Sequence, residues 1–197
     1  MNWDGRSAWV YRDSPPDYAK ALRYRIDTVY IDPRTWNAPT VCADIRAHAL
    51  TAGFYYVPGW TPGPTPQEHA KIVSDYVQVN KLLKPGEPVM LDLEQLSIPW
   101  VEAFLKKLRA YLPSRPLAYT NAPFQNETVV PVAALEAADA HWFPQLYYGQ
   151  MQPADAAAVM AEVCRIYDPA KVHPFHDGAM LPVDSRDCCV FTLERLP

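Results

Sequence analysis

Along the chain, short runs of apolar residues alternate with stretches whose apolar positions recur at helical spacing. Ala8-Trp9-Val10-Tyr11-Arg12-Asp13 reads as a strand, and Ser14-Pro15-Pro16-Asp17 opens a helix through about Arg25, with serine as cap and proline in the first turn. Thr28-Val29-Tyr30-Ile31-Asp32 is a second strand, followed by a helix from Thr40 to Ala52 that Gly53 stops. Phe54-Tyr55-Tyr56-Val57 is a third strand, and Pro58 to Pro64 form a stiff loop. Thr65 caps the next helix with Glu68 three residues on, the capping-box arrangement, and Ile72, Tyr76 and Val79 recur at helical spacing.

The second half repeats the pattern. Pro88-Val89-Met90-Leu91-Asp92-Leu93-Glu94 is a fourth strand. A helix from about Pro99 to Leu112 sets Val101, Phe104, Leu105 and Leu108 on one face. Pro116 to Asn121 and His141 to Tyr148 are strands, separated by a short helix from Pro131 to Ala138. A helix runs from Pro153 to about Ile166, and Val172–Phe175 and Cys189–Leu193 are the last strands. Strict strand–helix alternation implies parallel strands joined by crossover helices. Eight strands with about six helices predict one α/β domain over residues 1–197, an incomplete or compact TIM-like (β/α) barrel. An open doubly wound sheet is the second choice. Its first strand normally ends in a glycine-rich phosphate turn, and here that turn is Arg12-Asp13-Ser14-Pro15-Pro16.

Length and composition narrow the function classes. At 197 residues with 49% hydrophobic and 20% charged residues, the chain buries a core and is not disordered. No apolar run approaches the ~20 residues of a membrane span, and Met1-Asn2-Trp3-Asp4-Gly5-Arg6 does not open a secretory signal. A net charge of −4 speaks against a nucleic-acid partner. Six Trp and twelve Tyr are generous for a core and suit a sugar-binding cleft. Cys42, Cys164, Cys188 and Cys189 form no C-x-x-C pair and read as free thiols. His173, His176 and Asp177 invite a metal reading, but Pro174 marks the stretch as a strand end. Neither a metal nor a cofactor is expected.

In parallel α/β folds the site forms at the carboxyl ends of the strands. Polar residues gather there: Asp13, Asp32, Trp60, Asp92, Glu94, Tyr119, Asn121, Gln145, Tyr147, His176 and Asp177. Tyr56, at the end of the aromatic third strand, joins them as a candidate for sugar contact. The sharpest element is Leu91-Asp92-Leu93-Glu94. Strand side chains alternate, so Asp92 and Glu94 share one face and the leucines take the other. Two carboxyls on a central strand are costly unless paired, solvated or used. Such a pair suits glycoside cleavage: one acid protonates the leaving oxygen while the other supports the sugar. Glu94, nearer the rim, is the better acid, and a like charge at Asp92 would raise its pKa toward that task.

Ordered fragments resemble glycoside hydrolase family 25, the lysozymes of bacteriophages, bacteria and some fungi. Ala52-Gly53-Phe54-Tyr55-Tyr56-Val57 is similar to the family's glycine and aromatic third strand, and Pro88 to Glu94 to its apolar run ending in D-x-E. Leu117-Ala118-Tyr119-Thr120-Asn121, Trp142-Phe143-Pro144-Gln145-Leu146-Tyr147 and Val183-Asp184-Ser185 resemble its Y-T-N strand, its W-x-A-x-Y strand and its late V-D element. The resemblance covers the chain from about Asp27 onward. It implies an incomplete barrel that hydrolyses the β-1,4 bond after N-acetylmuramic acid in peptidoglycan. Glu94 would be the acid, Asp92 would stabilise the transition state or orient the acetamido group, and Tyr119, Gln145, Tyr147 and Asp184 would be subsite residues.

The chain departs from the family in two places. The usual G-I-D-x-S opening is replaced by Tyr11-Arg12-Asp13-Ser14, with Asp4 as second candidate for its aspartate, and the late W-Q by Phe175-His176. A weakened first-strand carboxylate could leave the fold without the reaction. Two functions therefore stand as expectations. One is a peptidoglycan-degrading muramidase. The other is a catalytically weak or inactive module of a phage virion, such as a minor tail protein, that binds wall glycan or neighbouring virion proteins. Both expect bacterial cell-wall glycan as partner and no membrane. Both expect a phage-encoded chain at the host wall or in the virion, with a cytoplasmic location as the alternative.

Overall fold

The structure, a computed structural model, describes residues 3, 5–10, 15–35, 37–58, 63–94, 96–121, 131–146, 153–176 and 189–190. Strands and helices alternate from β1 to β7: β1 Arg6–Trp9, α1 Tyr18–Arg23, β2 Ile26–Ile31, α2 Ala38–Ala47, β3 Thr51–Tyr56, α3 Pro66–Gln78 and β4 Val89–Asp92. Then come α4 Ile98–Tyr111, β5 Leu117–Asn121, α5 Val132–Ala137, β6 Ala140–Leu146, α6 Pro153–Ile166, β7 Phe175–His176 and β8 Cys189–Val190. Each strand pairs in parallel with its sequence neighbour, and β8 pairs with both β7 and β1, so the sheet closes into a barrel. Closure rules out the open doubly wound sheet. The predicted TIM-like α/β barrel is the observed one; of its last two strands, the described residues include Phe175–His176 and Cys189–Val190.

Local chemistry explains most element ends. Thr65 makes the predicted capping box with Glu68. The cap of α1 is Asp17 and not Ser14, which lies outside the described residues; the Asp17 carboxylate accepts the Lys20 N–H at 2.9 Å. Gly53 does not stop α2. That helix ends earlier, and Ala49 turns the chain with φ of 61°. Gly53 lies inside β3, where its missing Cβ makes room for the ring of Tyr30 on β2; a Cβ there would stand 2.7 Å from Tyr30 Cδ1.

The pleat sorts side chains into two cores. Trp9, Tyr30, Tyr55, Met90, Ala118, Phe143 and Phe175 fill the barrel's interior. Trp9 lies flat on Tyr55 at 4.3 Å and donates its indole N–H to Met90 Sδ at 3.0 Å, while Phe175 meets it edge-on. Val29, Ile31, Phe54, Leu91, Leu93 and Trp142 face the other way, toward Val101, Phe104, Leu105 and Leu108 of α4 and the remaining helices.

The amino-terminal mouth is closed by aromatic stacking. His141 Nδ1 and His173 Nε2 are hydrogen-bonded at 2.8 Å, and Trp3 stacks on His141 at 4.5 Å. His173 is thus paired with His141, not with His176, and no group of three or more His, Cys, Asp or Glu that could hold a metal occurs among the described residues. Cys42 and Cys164 are free thiols, as expected; Cys188 lies outside the described residues. Among the described residues no helix is long and apolar enough to cross a membrane.

Two outcomes follow from this packing. Gly53→Ala forces a methyl into a buried ring and is expected to cost about 1–3 kcal/mol, read as a lower urea midpoint with unchanged slope. Burial, then the neighbouring His173, holds the His141 pKa down at about 4. The unfolded chain therefore takes up a proton here before the folded one does. Stability is expected to fall as pH drops from about 6.5 toward 4, and His141→Gln is expected to flatten that fall in a pH series of urea denaturations.

Candidate active site

β4 carries the acidic pair to the carboxyl end of the barrel. Met90 belongs to the interior core, so Asp92, two residues on, stands on the same inner face and above Met90. Leu91 and Leu93 pack outward, as the D-x-E alternation predicts. The next link of the ladder extends past the strand, with the Leu93 N–H donating to the Thr120 carbonyl at 3.4 Å. Asp92 and Glu94 are both partly exposed. One carboxyl oxygen of Asp92, Oδ1, is fully buried and has no hydrogen-bond partner.

That setting favours the neutral form of Asp92. Burial over the apolar floor, reinforced by the Glu94 charge, pushes the Asp92 pKa well above the ordinary carboxylate value, against a smaller opposing pull from the Glu94 backbone N–H. The shift therefore acts on Asp92. A carboxyl held neutral can donate as well as accept a hydrogen bond.

The other predicted site residues divide by the pleat. Gln145 shares the inner face with Phe143 and is buried beside the register partner Phe175. Asp32 is fully buried but engaged: Arg34 grips it with Nε to Oδ1 at 2.8 Å and Nη2 to Oδ2 at 2.7 Å, and the Arg34 backbone N–H donates to Oδ1 at 2.9 Å. It braces the turn after β2. Tyr56, Tyr119, Asn121 and His176 were expected at the sugar cleft, and the structure turns all four to the helix side. Tyr56 is hydrogen-bonded to His69 of α3 at 2.6 Å, and burial pushes its phenol up to about 12. Tyr119 is register partner to outward Leu91, and Asn121 Oδ1 accepts the indole N–H of Trp142 at 3.0 Å. His176 pairs in register with outward Leu146, and burial lowers its pKa to about 4. Asp13, Trp60, Tyr147 and Asp184, with Asp4 and Asp177, lie outside the described residues.

Sequence reasoning missed Thr120. It is the register partner of Asp92, is fully buried, and its hydroxyl has no hydrogen-bond partner. It stands two residues from Ala118, an inner residue of a strand buried on both faces, so the sequence alone carries no signal for it.

No family model matches the sequence, and no curated protein matches it. Solved structures do. An endo-β-N-acetylglucosaminidase from Cordyceps militaris superposes with a TM-score of 0.67 at 9% identity, covering 99% of this chain and 83% of that one. A second structure of that enzyme has an aspartate and a glutamate two positions apart replaced by their amides, in complex with fucosyl-N-acetylglucosamine-Asn. The catalytic domain of a Pyrococcus furiosus chitinase matches with a TM-score of 0.63 at 12% identity, over 98% of this chain and 77% of that one. DHDPS from Cyanidioschyzon merolae matches with a TM-score of 0.58 at 13% identity, over 99% and 72%. The chain thus shares the barrel fold of glycoside hydrolases and of other barrel enzymes.

An isosteric change tests the strained carboxyl. Asp92→Asn removes a group that is easier to ionise in the unfolded chain than in the folded one. It is expected to raise the melting temperature at neutral pH by about 2–4 °C for each kcal/mol recovered. The gain should disappear below the ordinary carboxylate pKa, where Asp92 is neutral in both states. A melting temperature that does not respond, or a gain independent of pH, would contradict the assignment.

Proposed function

We propose that the chain is a glycoside hydrolase acting on glycans of 2-acetamido sugars, with bacterial peptidoglycan as the substrate and muramidase cleavage of its β-1,4 bonds as the reaction. The observation that carries the reading is Asp92 on the inner face at the carboxyl end of β4, over an aromatic floor, with Glu94 two residues on and near enough for its charge to act on Asp92. The similar Cordyceps enzyme, with its aspartate and glutamate two positions apart, supports an acidic pair of this kind in this fold. The ordered family-25-like fragments support the wall glycan as substrate.

In this reading Glu94 donates a proton to the glycosidic oxygen as the bond from that oxygen to the anomeric carbon breaks. Asp92, held neutral, is suited to hydrogen-bonding the substrate's amide and poorly suited to offering a charge to a cationic ring. It orients the acetamido group so that the amide oxygen shields the anomeric carbon. Glu94, now a carboxylate, takes a proton from the incoming water as the water oxygen bonds to the anomeric carbon. The site of action is the bacterial wall, reached from a phage-encoded lysin or a virion.

A second reading has its own support. Asp32, the other described carboxylate at the rim, is neutralised by Arg34, which leaves the pair without a third acid among the described residues. A wall-binding virion module that cuts slowly or not at all, docked on glycan or on neighbouring virion proteins, fits that arrangement.

The decisive assay digests purified bacterial walls and chitin oligosaccharides and identifies the products by mass spectrometry. The parent chain is expected to release disaccharide-terminated muropeptides. Glu94→Gln is expected to lose about 10²–10⁴-fold in rate with an unchanged melting temperature. Wall binding without cleavage by the parent would favour the virion module, and full activity in Glu94→Gln would end the muramidase reading.

A further inference from the structure

β6 and the stretch before β7 each place one imidazole at the amino-terminal end of the barrel. His141 stands two residues before the interior Phe143, and His173 two before the interior Phe175, so both rings lie on the inner side, next to the aromatic core. The backbone holds them together: Trp142 and Val172 form a bridge, and the His173 N–H donates to the Trp142 carbonyl at 2.9 Å. The rings meet through His141 Nδ1 and His173 Nε2 at 2.8 Å. Phe143 stacks on His173 at 4.9 Å, and half-buried Trp3 stacks on His141 at 4.5 Å.

Two imidazoles that meet nitrogen to nitrogen share one proton. One ring donates and the other accepts, which requires the accepting ring to be neutral. A proton on the accepting nitrogen makes it a second donor, and two N–H groups then face each other across 2.8 Å. The surroundings do not compensate. Burial, His173 and Lys171 all disfavour charge on His141, and Asp139 and Asp168 oppose them more weakly. Asp139 is tied to the Lys171 ammonium at 2.5 Å, and the Asp168 carboxylate accepts the Ala170 N–H at 3.0 Å. From β5 the register partner of His141 is Ala118, which brings no charge. Trp3 is thus seated on a platform that holds only while the pair is short of protons.

We propose that the His141–His173 pair is an acid-operated latch on the amino-terminal segment: loading both rings with protons parts them, and Trp3 leaves its stack and uncovers the amino-terminal mouth while the rest of the barrel stays folded. The direction follows from the shared proton. Released rings each take up a proton near the ordinary imidazole value of about 6.5, whereas the closed pair holds His141 down at about 4. The closed form is favoured above the first value and loses that advantage as pH falls toward the second, with roughly two protons taken up on opening. The latch lies at the opposite mouth from Asp92 and does not rest on the glycosidase reading.

The test labels the full chain with fluorotryptophan and follows its six tryptophan lines by fluorine NMR from about pH 7.5 to 3.5. Trp3→Phe identifies the Trp3 line. In the parent that line is expected to move to its denatured-chain position with a midpoint between about 6.5 and 4 and a slope of roughly two protons, while the remaining lines hold. His141→Gln keeps a hydrogen-bonding group that takes up no proton. It is expected to lower the midpoint by roughly one pH unit or more and to cut the slope to roughly one proton. Should it fail to fold, His173→Gln carries the same expectation. A Trp3 line that never moves, or moves only together with the remaining lines, overturns the latch. So does a Trp3 line already at its denatured-chain position at neutral pH, or a glutamine variant that titrates as the parent does.

Discussion

The two-residue period of β4 is the constraint on which the site depends. Because side chains alternate, Val89, Leu91 and Leu93 serve the outer core while Met90 and Asp92 follow one another on the inner side, with Glu94 just past the strand's end. A slip of one residue would bury the Asp92 carboxyl under the helices, where nothing could solvate it. Register is therefore held by the hydrophobic seam, and Asp92 is carried along by it. The seam is also why Asp92 is strained. The same Trp9–Tyr55–Met90 stack that fills the barrel is the low-dielectric floor on which the carboxyl stands.

Much of the architecture was legible in the residues, because strand and helix periods and capping chemistry are local signals. Thr65 with Glu68, the apolar face of α4 and the run from Pro153 to Ile166 depend on neighbours in sequence, and they fall where the pattern puts them. Gly53 did not, because its role depends on Tyr30 across the sheet. A glycine after a helix-like stretch reads as a stop, while a glycine beneath a ring on another strand cannot be seen from one strand alone.

The candidate site was legible only in part, for the same reason. Asp92 falls on the inner face because β4 has an apolar partner at every alternate position, while Glu94 lies past the strand's end. On β5 both faces are buried, from Leu117 to Asn121, so composition says nothing about which side faces the lumen. Tyr119 and Asn121 drew attention as polar, sugar-like residues, while Thr120 between them was passed over. Asp32 shows a further limit. An acid at a strand end is equally compatible with a site and with a brace, and only Arg34, two residues later and folded back onto it, decides between them.

The barrel itself does not choose the chemistry. A chitinase and a DHDPS both superpose on this chain at comparable identity, so whatever the chain does must be set by side chains at the carboxyl ends of the strands. At the opposite mouth, Trp3 stacks on His141 and the two imidazoles of His141 and His173 are hydrogen-bonded to each other. At the carboxyl mouth the balance is reversed. There the fold tolerates an unpartnered carboxyl oxygen, an unpartnered hydroxyl and a raised acid on adjacent strands. Asp92 and Thr120 are both unfavourable for folding as they stand. Among the described residues, Asp92 and Thr120 share the inner face on adjacent strands at that mouth.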